Sequence, residues 1–126
     1  AGIQKPHQMQ GRSIIPLLKG TETAWRDKVF YEYYWEYDFP HTPTMHGVRT
    51  ERYKLIQYHG IWDTNELYDL KEDPNEMNNL IASPAHSQLV EDLTTDIYDW
   101  LESTGGMQIP LKRTVKKRFG DHRNAE

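Results

Sequence analysis

Apolar and polar residues alternate through the first half of this chain and recur every three to four residues in the second half. That change of period predicts strands followed by a helix. Residues 29–37, Val-Phe-Tyr-Glu-Tyr-Tyr-Trp-Glu-Tyr, are dense in aromatic and β-branched types and read as a strand. Phe30, Glu32 and Tyr34 share one face, with Val29, Tyr31, Tyr33 and Trp35 on the other. Both faces are largely aromatic, so a central strand covered on both sides is expected. Pro40 and Pro43 forbid regular pairing over 38–44, which reads as a loop. Strands at 46–50 and 53–59 then form an antiparallel hairpin turning at Glu51-Arg52. Tyr53, Leu55 and Gln57 point one way, and Lys54, Ile56 and Tyr58 the other. Gly60 opens a loop through Thr64, and residues 65–70 form a fourth strand. Asp73-Pro74 turns the chain, because proline presets φ and cannot continue a ladder.

The second half is helical. Ser83 is a good N-cap, with Pro84 at the first helical position. Leu89, Leu93, Ile97, Trp100 and Leu101 fall on one stripe, while Asp92, Asp96, Asp99 and Glu102 lie largely off it. Gly105-Gly106 supplies the stop. The expected fold class is α+β: an antiparallel sheet of about four strands with one long C-terminal helix packed on it. Before the sheet, residues 1–24 read as a linker with a short helical turn at Ile14, Ile15, Pro16, Leu17 and Leu18, closed by Gly20. Residues 25–106 hold the sheet and helix, and 107–126 form a basic tail.

Composition narrows the chemistry. With 126 residues, 37% hydrophobic and 27% charged, the chain is one domain at most. No stretch approaches the roughly 20 apolar residues that span a bilayer, and no signal peptide is visible. The absence of cysteine excludes disulfides, thiolate metal sites and a cysteine nucleophile. A net charge of −4 speaks against nonspecific nucleic-acid binding. Lys112, Arg113, Lys116, Lys117, Arg118 and Arg123 crowd the end, leaving the body more acidic than the total suggests.

Two motifs carry a family resemblance. They are Gly47-Val48-Arg49-Thr50-Glu51-Arg52-Tyr53-Lys54-Leu55-Ile56, and Glu66-Leu67-Tyr68-Asp69-Leu70 followed by Asp73-Pro74, Glu76, Asn78, Asn79 and Leu80. In that order and spacing they closely resemble the C-terminal segment of sulfatases, enzymes that hydrolyse sulfate esters. The opening Met9-Gln10-Gly11-Arg12-Ser13-Ile14-Ile15-Pro16-Leu17-Leu18 is similar to the link such enzymes use between their two domains. The resemblance covers roughly residues 1 to 103 and implies the C-terminal subdomain of an alkaline-phosphatase-like sulfatase. It also implies an N-terminal catalytic domain as partner, and a periplasmic, secreted or lysosomal location. The family's cofactors are a divalent cation (calcium) and a formylglycine made from Cys or Ser within C/S-x-P-x-R. None of Ser13, Ser83, Ser87 and Ser103 has the required Pro and Arg after it, and no Cys exists. This chain alone is therefore expected to be catalytically silent, with no cofactor and no catalytic residue of its own.

Its expected contribution is a wall of the substrate cleft facing a sulfated carbohydrate. The candidates are Trp35, Glu36, Tyr37, His41, His46 and Arg49, in and beside the loop after the first strand. Aromatic faces suit sugar rings, carboxylates and imidazoles read hydroxyls, and arginine grips sulfate or carboxylate in bidentate fashion. Each has a plainer reading. The aromatics can be core, His46 can cap a strand, and Arg49 or Lys54 can pair with Glu32 or Glu66 across the sheet. His59 and Trp62 flank Gly60 as a second contact patch, and His7, His86 and His122 read as solvent-facing. Asp73, Asn78 and Asn79 lack the EF-hand pattern and fit turn and cap roles. The alternative function is a stand-alone carbohydrate-binding or protein-interaction module without catalysis.

Overall fold

A computed structural model of the chain describes residues 11–21, 24–36, 41–60 and 63–108. After a one-turn helix α1 (Ile15–Leu18) come β1 (Val29–Tyr33), β2 (Met45–Arg49), β3 (Tyr53–Tyr58) and β4 (Glu66–Asp69). A 3₁₀ turn at Pro84–His86 leads into α2 (Ser87–Thr104). The strands form one antiparallel sheet in the order β1-β2-β3-β4. This is the α+β architecture expected from periodicity.

The hairpin turns at Glu51-Arg52, where Thr50 N donates to Tyr53 O at 2.8 Å. That turn sets the β2–β3 register, pairing Arg49 with Lys54, Val48 with Leu55, Gly47 with Ile56 and His46 with Gln57. Consecutive hairpins leave the first strand at an edge. β1 is therefore an edge strand, where a central one was expected. It is also shorter than expected, ending at Tyr33. Its aromatic content on both faces has two separate causes. Phe30 stacks on Trp100 of α2, with ring centroids 5.2 Å apart and planes 7° apart, while on the far face Tyr31 lies over Gly47.

One face of the sheet holds the core. Val48, Leu55 and Leu67 meet Leu93, Ile97 and Leu101 of α2, and Phe30, Leu89 and Trp100 flank them. Gly105 ends the helix at φ 77°, a left-handed conformation that glycine adopts without a Cβ penalty. The helix start differs from expectation. Ser83 is extended but makes no side-chain cap. Its hydroxyl lies 3.0 Å from His86 Nδ1 instead, so the α-helix begins only at Ser87. His86 is accordingly half-buried, its ring edge-on to Tyr53 at 6.4 Å, and does not face solvent freely. In α1, Pro16 sits in the first turn, yet Ile14, Ile15 and Leu18 remain exposed.

Side-chain anchors close the β4 turn. Asn79 Oδ1 accepts from Leu67 N and Ile81 N, both at 3.0 Å, and Asp73 Oδ2 accepts from Asn78 N at 2.7 Å. These are the turn and cap roles expected for Asp73, Asn78 and Asn79. Asp69 accepts from Arg52 Nη2 at 2.7 Å and Nε at 3.0 Å, and from Lys71 N at 3.1 Å. The Arg52 hydrogen bonds, helped by those backbone amides, hold the Asp69 carboxyl at about 2 against an ordinary 3.8. A carboxylate held this low contributes stability that is fully present above its unfolded value. That contribution fades as pH falls from about 4 toward about 2. Thermal melts across that window should show a steep loss of stability in the wild type and a shallower one in Asp69→Asn.

Candidate functional site at the open end of the sheet

The β1–β2 connection and the far end of β3 meet at Thr44, which is buried. Its Oγ1 accepts from Trp35 N at 2.9 Å and its carbonyl accepts from His59 N at 2.8 Å. Thr44 thereby ties the departing end of β1 to the ends of both hairpin strands. Trp35 next to it is 47% exposed, a large ring left partly open. Glu36 is half-buried and His41 exposed on the same connection. Tyr37 lies outside the described residues.

Behind this rim His46 points to the α2 side of the sheet, because it lies two residues before Val48. It is only 4% exposed. Its Nδ1 lies 2.7 Å from His59 Nε2, and the two rings meet edge-to-face with centroids 4.5 Å apart. Tyr34 packs against the same imidazole at 5.8 Å. The Tyr34 hydroxyl lies 2.7 Å from Glu32 Oε2 and 2.8 Å from Gly106 O, sharing its one proton between them. Burial, then the hydrogen bond to Glu32, push that phenol up to about 12. Burial first, then the neighbouring His59, hold His46 below its ordinary value, against a smaller opposing pull from Glu32. Both effects favour the neutral imidazole at His46.

Gly106 makes this arrangement possible. A Cβ there would sit 2.7 Å from both Glu32 Oε2 and Leu101 Cδ2.

Arg49 lies elsewhere. Three residues along β2 from His46, it projects from the opposite face of the sheet. There it borders an open groove of about 370 Å³ with Arg26, Asp27, Val29, Thr50 and Glu51. Lys54, on that same face, pairs with Glu76 and not with Glu32 or Glu66. The six candidates therefore do not form one cluster: Trp35, Glu36, His41 and His46 gather at one end, and Arg49 stands apart.

Residues 1–103 match the family model described as N-sulphoglucosamine sulphohydrolase, C-terminal. The chain belongs to this family. Among its relatives, an N-acetylglucosamine-6-O-sulfatase of Bacteroides thetaiotaomicron is 37% identical over 97 residues, covering 74% of this chain and 17% of the relative. A Delta 4,5-hexuronate-2-O-sulfatase of the same organism is 32% identical over 124 residues, covering 97% and 25%. A protein solved in complex with its substrate D-glucosamine-2-N,6-O-disulfate superposes with a TM-score of 0.72 at 29% identity, over 86% of this chain and 22% of that one. The chain thus spans about a quarter or less of these relatives' length. These matches bear out the resemblance to the C-terminal subdomain of sulfatases.

Within this sulphohydrolase subdomain, no group of three His, Asp or Glu side chains converges among the described residues. The described residues do not fit a calcium cradle, and the sequence holds no Cys as a formylglycine precursor. No described helix is long and apolar enough to cross a membrane.

Sequence reasoning placed His59 in a separate patch and passed over Glu32, Tyr34, Thr44 and Gln57. The signal was available for His59. Counting outward from the Glu51-Arg52 turn pairs His46 with Gln57 and sets Thr44 against His59, two positions beyond. That count brings the two histidines to one end of one hairpin.

Proposed function

We propose that the parent of this chain is a sulfatase hydrolysing sulfate esters of a sulfated carbohydrate, and that this subdomain forms one wall of its substrate cleft. The observation that carries this reading is the family match over residues 1–103, joined to relatives whose names are those of sugar sulfatases. Sulfate ester hydrolysis needs a powerful nucleophile and positive charge around the sulfate oxygens. In this reading the formylglycine and the divalent cation, calcium, reside on the catalytic part of the parent. This chain then contributes binding and orientation, which lower the barrier by holding the substrate in reach. Trp35 offers a ring to the apolar face of a sugar, and Glu36, Tyr37 and His41 read hydroxyls from the same connection.

The sheet face away from α2 carries Tyr31, Tyr33, Tyr58 and Tyr68, with Val29 49% exposed at its edge. We assign that face to the catalytic part, which makes up most of the relatives' length. Arg49, which has no ion pair among the described residues, belongs to that contact. Residues 1–24 serve as linker, 25–106 as the subdomain and 107–126 as a basic tail. The relatives named above are sulfatases, which speaks against a stand-alone module.

In the full-length parent, Trp35→Ala and His41→Ala should each lower kcat/KM on a sulfated glycan by about tenfold, the worth of one good contact. Turnover of a small aryl sulfate should stay near wild type. Equal losses on both substrates would show folding damage and remove these residues from the cleft.

A further inference from the structure

Two buried polar atoms at the His46 end have no hydrogen-bonding partner: His46 Nε2 and Gln57 Oε1. They belong to residues that face each other across the β2–β3 register. Buried polar groups are almost always satisfied, so such a pair calls for an explanation. Gln57 Nε2 donates to Thr94 Oγ1 of α2 at 3.0 Å, which orients the amide and leaves Oε1 as a bare acceptor. An acceptor needs an N–H opposite it. If the single proton of neutral His46 sits on Nε2, one assignment answers both atoms through one bridging water. His46 Nδ1 is then an acceptor. The 2.7 Å contact to His59 Nε2 therefore requires the proton to lie on His59 Nε2. An imidazole whose one proton is on Nε2 carries its lone pair on Nδ1. His59 is exposed at the end of β3, and among the described residues no hydrogen bond engages that nitrogen.

We infer that His59 reads the substrate, its Nδ1 accepting a hydrogen bond from a sugar hydroxyl, and that His46 is the positioning residue that fixes its tautomer. The inference rests on the reading of the parent as a carbohydrate sulfatase. It moves the contact expected of His46 onto its partner: His46, with both nitrogens enclosed, does not touch ligand, and the exposed His59 does. Thr94 orients the Gln57 amide and His46 contacts His59; one water between Gln57 Oε1 and His46 Nε2 would join these bonds into a chain, so that a helix residue sets the polarity of a surface imidazole. A bare imidazole nitrogen accepts from a hydroxyl and gains nothing from fluorine or hydrogen at the same carbon. The expected ligand is thus a sugar with a free hydroxyl at the position facing β3.

The test uses the full-length parent. His59→Ala should raise KM for the sulfated glycan about tenfold with kcat on an aryl sulfate intact. It should also erase the wild-type preference for a free hydroxyl over fluorine at one position in a panel of monodeoxyfluoro sugar sulfates. His46→Phe should reproduce the KM rise. His46→Asn, which keeps an acceptor near the Nδ1 position, should restore part of it. Imidazole ¹⁵N shifts should show His59 protonated on Nε2 and bare on Nδ1. An unchanged KM in His59→Ala overturns the inference, as does a proton on His59 Nδ1, with the sulfatase reading untouched. A wild-type parent inactive on every sulfate ester would overturn both.

Discussion

Ile97→Ala should destabilise the chain by about 2–5 kcal/mol, the cost of emptying a buried aliphatic site that cannot fully collapse. Ile97 lies in the middle of α2 and is 1% exposed. It meets the sheet within a core whose fully enclosed members are Val48, Leu55, Leu67, Leu93, Ile97 and Leu101. A core that small has little redundancy. Small domains keep only about 5–15 kcal/mol of net stability, so one cavity removes a large share. The helix also has little intrinsic reason to persist alone, since most helical stability comes from docking an amphipathic face. Urea titration should show a lower midpoint with an unchanged slope. Tyr98→Ala, one residue along but 43% exposed, should stay within about 0.5 kcal/mol of wild type. Similar losses at the two positions would mean that α2 does not present this face to the sheet.

The second large effect lies on the other side of the sheet. An ideal Cβ on Gly47 would fall 2.2 Å from Tyr31 Cε1 and 2.5 Å from its Cζ. No side chain fits beneath that ring, so Gly47→Ala must expel Tyr31 or shift the β1–β2 pairing. Overpacking of this kind costs about 1–3 kcal/mol. The control is a double-mutant cycle. With Tyr31→Ala already in place, Gly47→Ala should become neutral or slightly stabilising, because alanine tolerates an extended backbone better than glycine. Additive losses would show that Gly47 is needed for its backbone and not for the ring above it. The ring belongs to the tyrosine face assigned to the catalytic part. In the parent, Gly47→Ala should therefore also weaken activity on every substrate, unlike Trp35→Ala, which should discriminate among them.

Much of the architecture was legible because it is written in short-range chemistry. The alternation of Tyr53, Leu55 and Gln57 against Lys54, Ile56 and Tyr58 is a property of a pleated strand and needs no partner. The helical stripe ending in Trp100 and Leu101, and its glycine stop, follow from helix periodicity and a left-handed cap. The β1 error came from treating aromatic density as evidence of a covered central strand. Tyr31 fills space over a glycine, and Phe30 finds its partner in Trp100 some seventy residues away. Neither is visible as local pattern. The grouping of His46 with Arg49 rested on nearness in sequence. The period-2 rule places residues three apart on opposite faces, and the structure follows the rule.

From its sequence alone, this protein disclosed its strands, turns, helix and sulfatase-like motifs, because each depends on residues within a few positions of one another. Tertiary structure decided which side of the sheet α2 covers, and with that which residues of β2 are enclosed. Periodicity defines two faces but cannot say which one is buried; that depends on packing between Leu93, Ile97 and Leu101 and the strands they meet. The same choice encloses His46, leaves His59 at the surface and buries Gln57 Oε1 and His46 Nε2 without hydrogen-bonding partners. A proton's position on a ring is set by neighbours that only the folded chain brings within hydrogen-bonding distance.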